Sequence, residues 1–360
     1  MNQPQPRRRF LQTAAVACAA PAILTAKRTA AQNVVGSGEH VYQFDHRALQ
    51  LPDELSWQTT HNVAVDPDNN VYVIHEGKTS LPDHPSIMVF DETGRYIRGF
   101  GQQFQGGGHG IEIRVEEGTP YLYVAAYLGI KSIAKMTLDG EVVWERNAPM
   151  MSDKYAEGEA SDPKNDWGRD HFMPTNFAFL PSDDCCDGDF LLADGYGSYF
   201  IHRYSRDGNW MSCFGGPGAG EGTFNLPHGI WIDDRGESAS VVIADRAHNA
   251  LQTFDLQGNY QSTIGGFGLP ANMDVRGDWM LVPELVARVS ILGPDNEVAA
   301  TLGDDRERLM ADKDKAIRKD ESKWIDGKFV HPHDACFDLK GNIYVAEWVQ
   351  TGRVTKLTPA

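Results

Sequence analysis

The sequence predicts an all-β fold, a six-bladed β-propeller, and three observations carry that reading. A unit of four short strand-like segments recurs along the chain. The 36 glycines and 19 prolines are spread through the 360 residues rather than gathered in a tail, as a fold with many tight turns requires. The last unit is one strand short, and a strand-like segment near the N-terminus can supply the missing piece. With 41% hydrophobic and 10% aromatic residues, the chain can fill a sizeable core.

The unit reads from His61 as "HNVAVDPD", "NVYVIHEG", "SIMVFDETG", "YIRGFG". It returns from His228 as "HGIWIDDRG", "SVVIADRAH", "ALQTFDLQG", "YQSTIGGFG", and from His333 as "HDACFDLKG", "NIYVAEWVQ", "RVTKLTP". Each piece is rich in β-branched or aromatic residues and bounded by Asp, Asn and Gly, the composition of strands joined by hairpin turns. Unit starts fall at His61, His109, Asn176, His228, Asn272 and His333, about 44 to 67 residues apart, which leaves room for four strands in each. The propeller is therefore assigned to 58–360. In the N-terminal segment 32–57, "EHVYQFD" (39–45) is the strand expected to close the ring and remove a free edge. Two insertions interrupt the pattern. The polar, acidic stretch 150–170 is expected to be a surface loop, and the charge-rich stretch 304–328, punctuated by Ala and Leu, is expected to be helical. Insertions at one rim of a propeller can wall a substrate pocket.

Residues 1–31 read as a targeting segment. "RRRFLQ" (7–12) precedes an Ala-rich apolar run and resembles a twin-arginine export signal; an ordinary secretory signal would lead to the same periplasmic or extracellular compartment. The run is about half the length that spans a bilayer and contains Pro21, so no membrane attachment is expected after cleavage. The segment holds five basic residues and no acid, so its removal makes the net charge of −17 five units more negative. Such a chain has no electrostatic attraction for nucleic acid or an anionic membrane. A small-molecule or peptide substrate fits better as a partner, and the sequence says nothing of oligomeric state. Cys185, Cys186, Cys213 and Cys336 show no CxxC spacing, which argues against a thiolate metal site. A bridge from Cys185 or Cys186 to Cys213 stays open.

The first strand of each propeller blade lines the central channel. His109, His228 and His333 hold the same unit position in blades two, four and six. Alternate blades of a sixfold ring lie about 120° apart, so three imidazoles would converge on the axis and leave one tetrahedral position open, as a catalytic zinc requires. Asn176 and Asn272 start blades three and five and are poor ligands for a borderline-soft ion. His61 breaks the alternation and reads as structural or as a supporting residue around the metal. Taken singly, each histidine also reads as a turn residue before an inner strand.

The units resemble NHL-repeat blades. Across nearly all of the mature chain the sequence is further similar to the lyase domain of the peptidylglycine α-amidating enzymes, on "HGI" at His109, "HFMPTNFAF" at His171, "LADGYGS" at Leu192, "FNLPHGIWI" at Phe224, "IADRAHNALQTF" at Ile243 and "HPHDACF" at His331. The resemblance implies a carbon–nitrogen lyase that cleaves a peptidyl-α-hydroxyglycine to a peptide amide and glyoxylate. It implies zinc at His109, His228 and His333, Tyr196 as the base on the substrate hydroxyl, and Arg246 as the binder of the substrate carboxylate. It also implies a structural calcium taking the side chain of Asp334 and the backbone carbonyls of Val63 and Ile111. Two departures stand out. The family's second arginine, in blade one, is replaced in His75–Glu76, with Lys78 two residues on as a possible substitute, and Gly197 stands where the family has a cysteine. The alternative reading is a non-catalytic NHL-repeat propeller that binds a peptide, glycan or protein. A calcium-dependent lactonase would place carboxylates and amides at the axis rather than three histidines.

Overall fold

The computed structural model describes residue 1 and residues 33–181 and 188–360. The expected export signal, and Cys185 and Cys186 with their pairing to Cys213, lie outside the described residues. Residues 33–360 form one compact unit of six antiparallel sheets. The innermost strands are Thr60–Val65, Gly108–Glu116, Asn176–Phe179, Pro227–Asp233, Asp274–Arg276 and Pro332–Phe337. Each is followed outward by the next strands in chain order, so five of the blades are four-stranded meanders, and the sixth has three such strands completed from the N-terminus. Inner strands touch at five of the six junctions between blades, Pro332–Phe337 meeting Thr60–Val65, and blades four and five pack through Val242, Ala244, Met273 and Val282. This is the six-bladed propeller that the repeat predicts.

The blades bury both faces, which is why segments such as "VYVIH" (Val71–His75) are apolar almost throughout instead of alternating. Between blades one and two, Tyr72, Ile74 and Val89 interleave with Leu122, Val124 and Ala134. Each gap between blades is filled in the same way, and the outermost strands, such as Tyr96–Phe100, carry the exposed residues.

Blade six has strands from both ends of the chain. The expected closing segment forms His40–Asp45 and pairs antiparallel with Arg353–Pro359, Tyr42 opposite Pro359 and Asp45 opposite Lys356. A further strand, Val34–Ser37, lies outside it, so blade six has five strands rather than four. The hairpin between the two turns at Gly38, whose φ is 62°. A Cβ on Gly36 would sit 1.9 Å from the His40 carbonyl oxygen, so glycine is required there.

The two insertions differ in how far expectation holds. Stretch 304–328 is helical only at Arg306–Ala311, with one 3-10 turn at Glu321–Lys323. The Asp312 carboxylate stops the helix by accepting from the backbone N–H groups of Ala316 and Ile317 at 3.0 and 2.8 Å. Lys315 turns the chain with φ at 50°, a left-handed conformation that a continuing helix excludes. Leu309, Ile317 and Trp324 then fasten the segment onto Ala287, Val330 and Val349. Stretch 150–170 is the expected irregular loop, but a buried group pins it. Glu159 pairs with Lys131 at 3.2 Å, both side chains almost fully buried. Glu159 also accepts from the Phe172 N–H at 2.9 Å and lies 2.8 Å from His171 Nδ1.

Candidate metal centre

Four inner strands carry a β-bulge at one place: between Thr60 and Asn62, Gly108 and Gly110, Pro227 and Ile230, and Pro332 and Asp334. Each bulge holds a histidine: His61, His109, His228 and His333. A bulge leaves a residue out of the ladder and re-aims its side chain, here toward the channel axis. The glycines beside two of these residues allow neighbouring blades to close in. A Cβ on Gly110 would lie 2.0 Å from the Thr175 carbonyl oxygen, and one on Gly229 would lie 2.4 Å from Asn272 Cα.

The imidazoles of His109, His228 and His333 converge, and His61 stands beside two of them. Ring centroids are 4.7 Å apart for His109 and His228, 4.6 Å for His228 and His333, and 5.0 Å for His109 and His333. His61 lies 4.7 Å from both His109 and His333. The orientation of three of them follows one rule. His109 Nδ1 donates to the Thr175 carbonyl at 3.0 Å, His228 Nδ1 to the Ala271 carbonyl at 2.7 Å, and His333 Nδ1 to the His61 carbonyl at 2.7 Å. Each histidine thus hangs from the main chain of the following blade, which fixes the proton on Nδ1 and leaves Nε2 a bare lone pair. Burial holds all three rings, and His61, below the ordinary histidine range, so they are neutral near pH 7.

The Nε2 atoms of His109 and His228 stand 3.0 Å apart, and His333 Nε2 is buried with no hydrogen-bond partner. Two imidazole nitrogens bound to one tetrahedral zinc at about 2.0–2.1 Å would be separated by about 3.3 Å. Lone pairs so arranged repel unless a cation or proton lies between them, and the donor set of neutral imidazoles is one that zinc accepts. The residues present fit the ion. Ring nitrogens of His61, His109 and His333, one from each, also lie within 4.8 Å of one another, and His228 meets this group through its 3.0 Å Nε2 contact with His109.

Tyr196 and Arg246 close one side. Tyr196 Oη lies 2.9 Å from His228 Nε2 and 3.3 Å from His109 Nε2, and Arg246 Nη1 donates to it at 3.3 Å. Burial pushes the Tyr196 phenol up and Arg246 opposes this without overcoming it. Arg246 Nη2 is buried and unpartnered, so the guanidinium has a donor free for an anion. A cavity of about 240 Å³ lies over these groups, lined by His61, Tyr127, Trp167, Tyr196, Arg246, Leu285, His333 and Trp348.

The turn that presents Tyr196 is braced from behind by a relay of hydrogen bonds. Trp210 Nε1 donates to His202 Nδ1 at 3.0 Å, His202 Nε2 meets Tyr155 Oη at 2.7 Å, and Tyr155 donates to Asp194 Oδ2 at 2.9 Å. Asp194 also accepts from the backbone of Met173 and Ser198. Tyr155 comes from the 150–170 insertion, as does Trp167 on the cavity wall. From the other insertion, Arg318 stacks on Trp348 at 3.5 Å and donates from Nε to the Trp348 carbonyl at 2.9 Å. Burial lowers the Arg318 guanidinium, and the charges of Glu76 and Tyr127 counter it, which places a second cation at this rim. None of these insertion residues stands out in the sequence, where periodicity ends and loop chemistry gives no spacing.

Glu76 reaches the site, its Oε2 3.8 Å from His61 Nε2 and its Oε1 accepting from Tyr127 Oη at 3.2 Å. Lys78 is exposed and does not line the cavity. Asp334 lies below the histidines and accepts from Val63 N–H at 2.9 Å and Asn272 Nδ2 at 2.7 Å. Burial pushes Asp334 up to about 7. Val63 and Ile111 are buried on the inner strands of blades one and two. The sequence placed Asn176 and Asn272 at the histidine position. Strand pairing instead aligns Asn176 with Asn62 and Asp334, because each lies opposite the residue just before the turn of the next strand. Thr175 and Ala271 hold the histidine position in blades three and five, and their carbonyls receive the Nδ1 protons.

No family model matches the chain, and no curated protein matches it in sequence. Solved structures share its fold. A streptogramin B lyase structure is 11% identical over 89% of this chain and 98% of its own, with a TM-score of 0.54. A selenomethionine-substituted virginiamycin B lyase from Staphylococcus aureus is 12% identical over 88% and 99%, with a TM-score of 0.53. A gluconolactonase from Xanthomonas campestris is 11% identical over 85% and 87%, with a TM-score of 0.54. At these identities the likeness shows a common six-bladed propeller.

Proposed function

We propose that the chain is an exported, zinc-dependent carbon–nitrogen lyase similar to the peptidyl-α-hydroxyglycine amidating lyases, releasing glyoxylate from an α-hydroxylated substrate. The supporting observation is the meeting of three neutral imidazoles from alternate blades with one phenol and one guanidinium at a small cavity. Zinc bound by His109, His228 and His333 would acidify a substrate hydroxyl and stabilise charge on its oxygen. Arg246 holds the substrate carboxylate through its unpartnered Nη2, a donor geometry suited to that group. Tyr196 Oη stands on the imidazole side of Arg246 and relays the hydroxyl proton, accepting it as its own phenol proton passes to the departing amide nitrogen. As that O–H bond breaks, the carbon–oxygen bond becomes a carbonyl, the carbon–nitrogen bond breaks, and the departing amide nitrogen takes up a proton. Glu76 repels a carboxylate, so the substrate's charged end belongs on the Arg246 side, away from His61. In the same reading, calcium is a second ion at Asp334, and residues 1–31 direct export.

Protein purified without added metal should carry about one zinc per chain; less than a tenth of an equivalent would favour the metal-free binding propeller. Zinc-loaded protein should release glyoxylate from a peptidyl-α-hydroxyglycine. Tyr196→Phe should lower kcat by about 10²- to 10⁴-fold, the span of a lost general base, with zinc content unchanged. Wild-type protein that holds zinc and releases no glyoxylate removes the amidating assignment.

A further inference from the structure

The rim of the channel is built from one repeated position. Glu76, Tyr127, Arg246, Leu285 and Trp348 are each the first residue after the second strand of their blade, in blades one, two, four, five and six. In blade three, Tyr196 stands two residues beyond that position. Blades three apart face each other across a sixfold ring. Glu76 and Arg246 therefore share one diameter, Tyr127 and Leu285 a second, and Tyr196 and Trp348 the third. Opposite charges occupy the first, and the other two are aromatic or apolar. Trp167, from the 150–170 insertion, extends the aromatic side, its ring centroid 6.0 Å from Tyr127 and 5.3 Å from Tyr196. The Tyr127 hydroxyl is committed to Glu76, so it is the ring that Tyr127 offers to the cavity. The Arg318 guanidinium covers one face of Trp348 and leaves the other free.

Among the described residues that line the cavity there is one arginine, Arg246, and no lysine, aspartate or glutamate. The reaction set out above uses Arg246, Tyr196 and the imidazoles, and gives Tyr127, Trp167, Leu285 and Trp348 no task. Trp167 is 58% exposed, a large ring standing in water at a cavity mouth, where an apolar ligand would cover it. We propose that these four residues form a pocket for the side chain of the residue that precedes the α-hydroxyglycine, and that the substrates carry an aromatic or bulky aliphatic residue there. The inference rests on the lyase reading for its chemistry. The cavity of about 240 Å³ is smaller than the roughly 300–1,000 Å³ of pockets that enclose drug-sized ligands. It takes the reacting unit and one such side chain, and the rest of a longer peptide lies outside. An acidic side chain in that place would lose its hydration against the rings and find no lining cation but Arg246, which the terminal carboxylate occupies.

The test uses the full mature chain as purified and three peptides: N-acetylphenylalanylglycine, N-acetylalanylglycine and N-acetylglutamylglycine. Each ends in the carboxylate that Arg246 would hold and lacks the hydroxyl, so none is cleaved. Titration calorimetry should show the phenylalanyl peptide binding about 10- to 100-fold more tightly than the alanyl one, the range for burying one aromatic side chain. The glutamyl peptide should bind most weakly. Trp167→Ala should lower the phenylalanyl-to-alanyl ratio about 2- to 10-fold, the worth of one aromatic contact, and circular dichroism checks that this surface variant folds. Equal affinities in the wild type, no binding of any peptide, or a ratio that Trp167→Ala leaves unchanged overturns the inference. Each leaves the lyase reading to its own zinc and glyoxylate measurements. Selective binding by a chain that releases no glyoxylate keeps the pocket and removes the lyase reading.

Discussion

His202 shows how a single side chain behind the site sets a pH limit. It lies buried between Trp210 and Tyr155, and burial drives its pKa down to about 3 from 6.5. Below pH 6.5 the unfolded chain takes a proton that the folded ring refuses until about pH 3, so stability is lost as pH falls through that window and is fully present above it. Thermal unfolding followed from pH 7.5 to 4 should show Tm falling, and His202→Gln should flatten that fall. An equally steep fall in the variant would assign the acid sensitivity elsewhere, to His75, with a pKa near 4, or to the axial histidines, which burial also holds low. The three axial histidines were legible in the sequence because one residue type recurs at one place in alternate units. Asn176 and Asn272 were misaligned by one residue, since bulges in four inner strands shift the count while blades three and five have none there. Bulges leave no periodic trace. Glu76 was visible as an acid where a base was expected, but its pairing with His61 depends on a cross-strand approach that no spacing encodes.

At the level of elements, the strands were readable because each blade buries both faces and its segments are short, apolar and bounded by turns. The insertions were not readable, for a physical reason: their order comes from contacts with the propeller rather than from any repeat of their own. A charge-rich stretch suggested a helix over 304–328, yet Asp312 caps the chain after Arg306–Ala311 and turns it onto Val330 and Val349. That turn delivers Arg318 to the face of Trp348 on the cavity wall. If the segment serves an anionic substrate, Arg318→Ala should raise KM about 10-fold and leave kcat near wild type, the signature of binding lost equally in ground and transition states. Steady-state kinetics check this. An unchanged KM would confine Arg318 to packing on Trp348.

On the scale of the molecule, the ring is held shut by main-chain pairing of His40–Asp45 with Arg353–Pro359, backed by Val34–Ser37. The repeat count and the missing last strand made the closure legible; the second N-terminal strand was not, because "VVGS" is too short to rise above its surroundings. Tyr42 and Val35 lie in the seam with Leu302 and Leu357. A chain lacking residues 33–45 should therefore expose Arg353–Pro359 as an edge and unfold at least 10 °C lower, measured by calorimetry. An unchanged Tm would show that the other interblade contacts suffice. The hydrogen bonds from each histidine to the following blade carry a last implication. An ion gripped by rings suspended from their neighbours' backbones feels any spreading of the circle at once, so its release on heating should coincide with the main cooperative melt instead of preceding it.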